Sequence, residues 1–508
     1  MLYKILTGAV TGVDGYMVEA ETDVSAGMTQ FDIVGLPDSS IKEARERIRT
    51  AIRNSGYSFP NTRVTVNLAP ASIQKGGSSF DLPIACGVLG CMAVLPDDAR
   101  DCFIVGELSL DGGIRGVNGV LPMILAARDA GIKTAFVPLQ NAEEAALVKG
   151  VDILPVESLG EIITHFKRNN LLPFSVDIDS LYGTEDGFSG TDFSDVRGQD
   201  NIKRALEVAA SGLHNVIMIG PPGSGKTMMA KRLCGILPEL SFDESLEVTK
   251  IYSVSGLLDV KNALITKLPF RSPHHTISYA ALTGGGKFPK PGEISLAHKG
   301  VLFLDELTEF QKNVLEVLRQ PLEEKSIVIS RASGSVKYPA SFMLVASMNP
   351  CPCGFFGEPG KCRCSPQIVR RYLSRVSGPL LDRIDIQVET KKVKYEELGQ
   401  ARSAGSSAEI RARVKRALAL QRARYINDGI SSNAELTPPL IDKYCALGPD
   451  SRRLLKAAFD AMGLSARAYH KIIMLARTIA DMAGSADIDI THVAEAVQYR
   501  SLDRKYWG

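Results

Sequence analysis

No segment of this chain is apolar for long enough to cross a bilayer as a helix. The most apolar window, LPIACGVLGCMAVLP (82–96), is short for that purpose and broken by glycines and prolines, so a buried helix is expected there. The opening residues, MLYKILTGAVTGVDGYMVEAE, lack the basic start and unbroken apolar run of an export signal, which implies a cytoplasmic protein. In that compartment thiols stay reduced, so the nine cysteines are not expected to pair as disulfides. Excess charge is lacking too. The net value is only +2, which excludes a global field for nucleic acid and leaves local patches. There is no internal repeat.

What is present is ordinary globular composition, 45% hydrophobic and 23% charged. The 508 residues are too many for one core and enough for about three domains. Up to about residue 165, FDIVGL (31–36) predicts a strand and PDSSIKEARERIRTAIRNSG (37–56) a capped helix ending at Gly56. RVTVNLAP (63–70) predicts another strand, and AGIKTAFVP (130–138) closes a helix-to-strand unit. The stretch 176–195 holds six acidic residues and neither Lys nor Arg, a linker composition. Strands and helices then alternate to about residue 390, as a parallel α/β sheet requires, and the remainder is helical by its apolar period. The expected fold class is α/β, with domains at 1–170, 193–390 and 391–508 and a linker at 171–192.

GPPGSGKT (220–227) follows the apolar run NVIMI and precedes MMAKRLCGIL. A strand, a loop built from Gly220, Pro221, Pro222, Gly223, Ser224 and Gly225, and a helix N-terminus would set backbone N–H groups around phosphate oxygens. Lys226 would reach the β- and γ-phosphates of ATP, and Thr227 would hold Mg²⁺. GVLFLDEL (300–307) places Asp305 as the partner for the metal and Glu306 as the base that polarises water. SFMLVASMN (341–349) predicts a third apolar strand ending in Asn349, an amide suited to orienting that water, with a plain turn residue as the alternative.

These pieces, with DVRGQDNIKRALEVAASG (195–212), SPHHTISYAALTGGGKFPKPGEISLAHKGVLFLDEL (272–307) and SGPLLDRIDI (377–386), resemble the magnesium-chelatase-like branch of AAA+ ATPases. Over essentially the whole chain the resemblance is to the ComM/YifB family, bacterial hexameric ATPases linked to DNA branch migration. It implies a central AAA+ P-loop sheet with inserts and a C-terminal helical lid. Arg383 in LLDRID matches the arginine that relatives present to a neighbour's ATP; the alternative is a surface arginine paired with Asp382 or Asp385. Arg467 in GLSARAYHK matches the second sensor, with Arg453 and Arg477 as nearby competitors.

Four cysteines crowd SMNPCPCGFFGEPGKCRCSP (347–366). Cys351, Cys353, Cys362 and Cys364 on a glycine-rich loop suit a closed structural Zn²⁺ site, with a redox switch as the rival. Such a knot would fix Asn349 relative to the basic segment VRRYLSR (369–375). For DNA, two inserts offer cations: Lys287 and Lys290 in TGGGKFPKPGE, Arg331 and Lys337 in SIVISRASGSVKYPASF. In this branch such inserts project into the ring channel, where six copies would neutralise phosphates without sequence preference; ordinary solvated loop charges are the alternative.

The N-terminal part, through QKGGSSFDLPIACGVLG (74–90) and VGELSLDGGIRGVNGVLPM (105–123), resembles the Lon-type protease domain. There Ser79 falls near the nucleophile position, but Leu121 stands where the activating lysine belongs, and only Lys75 is left as a substitute. An inactive peptidase domain is expected. The whole reads as an ATP-driven hexameric DNA motor, without a membrane partner. A metal-insertion chaperone, an ATP-dependent protease and a nucleotide-gated scaffold remain as alternatives.

Overall fold

The computed structural model describes residues 1–182, 192–259, 262–286, 289–331, 334–358, 360–392 and 405–507. The N-terminal part is built on a seven-stranded mixed sheet. Its first half is a hairpin, Leu2–Thr11 with Asp14–Ser25, extended by Arg63–Ala69 and the edge strand Gln30–Val34. Its second half continues in parallel through Phe103–Ile104, Thr134–Pro138 and Asp152–Val156. The helix expected after Pro37 runs Ser39–Asn54 and is capped by Asp38, which accepts from the Ile41 N–H. The apolar window becomes the helix Asp81–Cys91, buried along its whole length. Among the described residues no helix is long and apolar enough to span a membrane.

The second body is a five-stranded parallel sheet in the order Phe270–Arg271, Val301–Leu304, Met343–Met348, Val216–Ile219, Ile386–Glu389. The three middle strands are buried on both faces, which is why they read as unbroken apolar runs. The helices Ser407–Arg424, Pro449–Met462, Ala466–Met482 and Ile490–Gln498 form the lid. Leu206, Val216, Val345, Ile410 and Ile472 belong to one continuous core, so lid and sheet are packed as a unit. Within the lid Asp481 accepts from Arg424 (2.9 Å to Nη1) and Arg477 (3.1 Å to Nε), a buried three-way ion cluster.

The acidic stretch 176–195 departs from linker behaviour at its described ends; residues 183–191 lie outside the description. Tyr182 donates to the Ser245 hydroxyl at 2.9 Å. Phe193 is fully buried, and the Asp192 carboxylate accepts from the Ser407 N–H at 3.1 and 3.2 Å. The acidic composition hid this because Asp192 works as a cap that joins two distant segments. The antiparallel hairpin Ser326–Arg331/Gly334–Pro339 lies where the two bodies meet, with Val336 against Gly12. Nearby, Glu144 is buried between them: it accepts from the Leu121 N–H at 2.9 Å and from the Ser253 hydroxyl of the ATPase body.

Candidate nucleotide site and cysteine cluster

The strand Val216–Ile219 ends at Gly220, where a Cβ would lie 1.9 Å from Thr390 Oγ1, so no side chain fits. Gly223 and Gly225 take φ of +75° and +83°, left-handed backbone that turns the loop into the helix Lys226–Leu233. Lys226 is buried; its ammonium donates to the Gly220 and Pro221 carbonyls (2.8 and 3.0 Å) and to Asn349 Oδ1 (3.3 Å). Burial pushes that ammonium below the usual lysine range, opposed by Asp305 and Glu306. Thr227 Oγ1 donates to Asp305 Oδ2 at 2.5 Å. A hydroxyl beside a carboxylate is the hard oxygen pair that Mg²⁺ takes. Glu306 follows with φ of +52° and its side chain half exposed.

The structure therefore brings Lys226, Thr227, Asp305, Glu306 and Asn349 to one place. Four neighbours carry no sequence reading of their own. Ser347, fully buried, donates to Asp305 Oδ1, and strand alternation puts it on the same face as Asn349. His275 Nδ1 stands 3.7 Å from Glu306 Oε2. Ser224 shares a 2.7 Å hydrogen bond with Thr390, and Gln199 donates to the carbonyls of Ser224 (2.9 Å) and Lys391 (3.0 Å). The motif stretches containing Gln199 and His275 signalled importance without a role; Thr390 carried no signal at all.

The four cysteine sulfurs all lie within 4.8 Å of one another. Cys351 is 3.3 Å from Cys353 and 3.9 Å from Cys362, and Cys353 is 3.7 Å from Cys362. Zn–S bonds of about 2.3 Å in a tetrahedron put sulfurs about 3.8 Å apart, so the set fits zinc. The Phe355 N–H holds the Cys353 thiol down to about 6, while burial pushes Cys351 up to about 12. The loop rests on the phosphate-loop residue Pro222: a Cβ on Gly354 would meet its Cδ at 2.4 Å. Beyond the last cysteine, helix Pro366–Leu373 returns to the turn Leu307–Glu309 that follows the acidic pair, where Thr308 donates to Tyr372 (2.5 Å) and Arg375 to the Thr308 carbonyl (2.9 Å).

Arg383 and Arg467 are brought together elsewhere, lining a cleft of about 200 Å³ with Glu323, Asp382, Asp385 and Lys471. Arg383 is nine-tenths buried and pairs with Glu323 rather than with Asp382 or Asp385. Arg467 Nη1 is 3.7 Å from Asp382. Of its competitors, Arg477 is locked inside the lid by Asp481 and Arg453 pairs with Asp450 on its own helix.

Lys290 is exposed in the short strand pair Gly284–Gly285/Lys290–Pro291, and Lys337 is exposed on the hairpin. Tyr338 of the hairpin donates to the Pro289 carbonyl (2.5 Å), so the two inserts are bonded to each other. Lys287 and the side chain of Arg331 lie outside the described residues. In the N-terminal part Ser79 lines a cavity of about 390 Å³ with Lys75, Glu107 and Lys290. Lys75 donates instead to the carbonyls of Pro70 and Gly35, and Leu121 is fully buried.

A phosphate loop and an acidic pair on a five-stranded parallel sheet under a helical lid define an ATP-binding AAA+ protein of the magnesium-chelatase type. The family model described as magnesium chelatase, subunit ChlI, matches residues 192–398. Its companion models, subunit ChlI of Mg-chelatase and the ChlI C-terminal region, match residues 20–141 and 404–500. The chain is 42% identical to the competence protein ComM of Haemophilus influenzae, over 98% of this chain and 97% of the relative. It is 40% identical to the YifB protein of Escherichia coli, over 98% and 97%. A 38 kDa magnesium-chelatase subunit of Cereibacter sphaeroides is 27% identical, over only 40% of this chain and 64% of the relative. The chain belongs to the ComM/YifB family.

Proposed function

We propose that the protein is an ATP-hydrolysing ring motor, a hexamer that moves along DNA and drives branch migration of junctions in recombination or natural transformation. The observation that carries this reading is the separation of two half-sites. Lys226, Thr227, Asp305, Glu306 and Asn349 form one, while Arg383 and Arg467 share a cleft that makes no contact with residues 220–227 among the described residues. Both complete a site only if the cleft of one subunit faces the loop of the next. Mg²⁺ held by Thr227 and Asp305 would neutralise phosphate charge. Lys226 holds the β- and γ-phosphates, Glu306 takes a proton from water oriented by Asn349, and Arg383 stabilises charge at the transferring phosphoryl. Zinc on the four cysteines serves as a pin under Pro222. The fused inserts bearing Lys290 and Lys337 supply the DNA contact, and the full-length likeness to a competence protein favours DNA as the track. The N-terminal part serves assembly or DNA contact and not peptide cleavage, since Lys75 is committed to carbonyls.

The test is the ATPase rate with and without single-stranded, duplex and four-way-junction DNA; stimulation by junctions is expected. A rate indifferent to every DNA would leave the metal-insertion chaperone, which the distant chelatase match favours.

A further inference from the structure

Besides Lys325, the cations Arg383, Arg467 and Lys471 in this cleft each have a carboxylate partner of their own, and the three pairs differ in permanence. Lys471 lies 2.5 Å from Asp385, which is almost inaccessible and accepts from the Asn215 N–H at 3.0 Å, so this pair is architectural. Arg467 and Asp382 are both accessible and only 3.7 Å apart. Arg383 is different again. Its guanidinium is buried and donates to the Pro379 carbonyl and to Glu323, while its Nε is buried with no hydrogen-bond partner among the described residues. Glu323 itself is half exposed. The arginine is thus held under-satisfied by a carboxylate that water can reach.

Glu323 also has a particular place in the chain. It lies near the end of helix Arg319–Glu324; Lys325 follows with φ of +55°, and the hairpin begins at Ser326. The Lys325 carbonyl accepts from the Ala340 N–H at 2.8 Å, closing the hairpin's base immediately beside Glu323. Ile327, Ile329 and Tyr338 bury one face of the hairpin, while Val328 and Lys337 on the other face are exposed.

We propose that Glu323 is a positioning residue that clasps Arg383 within its own subunit and ties its release to movement of the 326–339 hairpin. This rests on the reading of Arg383 as acting on a neighbouring subunit's nucleotide. The clasp holds the guanidinium away from solvent until a γ-phosphate, carrying more charge than one carboxylate, competes for it. When the hairpin engages DNA, Glu323 swings and the competition tips toward phosphate. An ion pair with one exposed partner shifts such an equilibrium by no more than a factor of about five, which is what a reversible clasp requires.

The test is steady-state hydrolysis by the full chain carrying Glu323→Gln, titrated with ATP, with and without a four-way DNA junction. The expected result is a DNA-independent kcat raised about three- to fivefold with KM for ATP unchanged. Stimulation by DNA falls by the same factor. The double variant with Arg383→Ala should drop to the rate of Arg383→Ala alone, and Glu324→Gln, one residue along, should change neither quantity. A Glu323→Gln protein with unaltered or lowered basal kcat and full DNA stimulation, in a background where Arg383→Ala is inactive, overturns the clasp. Arg383→Ala turning over at the wild-type rate would instead overturn the underlying reading of Arg383.

Discussion

At the scale of single residues, the Asp305 carboxylate is the most crowded group in the site. One oxygen accepts from Thr227; the other accepts from Ser347 and from the Glu306 N–H at 3.0 Å. These bonds fix the carboxylate in one orientation, and under the proposed reading Ser347 and the Glu306 N–H would be the outer partners of a Mg²⁺ ligand. Ser347→Ala is expected to raise the Mg²⁺ concentration for half-maximal hydrolysis by about tenfold, read from a Mg²⁺ titration, with ATP-independent stability little changed. Glu306→Gln should keep nucleotide binding and abolish turnover, trapping ATP in the assembled protein, as a filter-binding assay would report. Asp305 and Asn349 were legible in the sequence because each follows an apolar strand, and Lys226 because its glycine-rich loop does, and strand ends converge at one edge of a parallel sheet. Ser347 was not, since a serine inside an apolar run looks like a small core residue until the facing strand is placed. Thr390 was invisible for another reason: between Glu389 and Lys391, just past the strand Ile386–Glu389, it reads as an ordinary polar strand end.

At the scale of elements, the cysteine loop was legible in its chemistry but not in its address. Spacing predicted thiols for zinc; only the fold puts Gly354 against Pro222. Replacing Cys362 and Cys364 with serine should therefore abolish bound zinc by mass spectrometry and weaken ATP binding as well. Retention of zinc would sink the site. The acidic stretch misled because composition reports solvation on average, whereas Asp192 and Phe193 act individually. The lid's attachment has a pH signature. Although burial pushes Asp385 up, Lys471 and His214 hold it below the usual carboxylate range. A lowered folded value gives stability that is present above about pH 4 and lost as pH falls through that value. Lys471→Met should therefore destabilise the protein at neutral pH and move its acid-unfolding midpoint upward, followed by circular dichroism. In the same lid Asp481→Ala removes the carboxylate shared by the buried Arg477 and the part-buried Arg424 and should cost about 3 kcal/mol in chemical denaturation.

At the scale of the whole molecule, the two bodies are joined through Glu144, the Val336–Gly12 contact and the N–H of Gly119 on the Ser253 carbonyl (3.2 Å). The N-terminal part is thereby in contact with the hairpin that carries Lys337. None of this was legible from motifs, because contacts between bodies use side chains that look like ordinary surface. The proposed ring rests on Arg383, which pairs with Glu323 in a cleft apart from the loop holding Lys226 and in that reading serves a second copy. Mixing two disabled variants tests that demand most directly. Lys226→Ala and Arg383→Ala proteins should each be inactive alone. Mixed in equal amounts, they should regain hydrolysis at about a quarter of the interfaces, where an intact loop meets an intact arginine. No recovery on mixing, or full-rate hydrolysis by an Arg383→Ala monomer, would contradict a site shared between subunits.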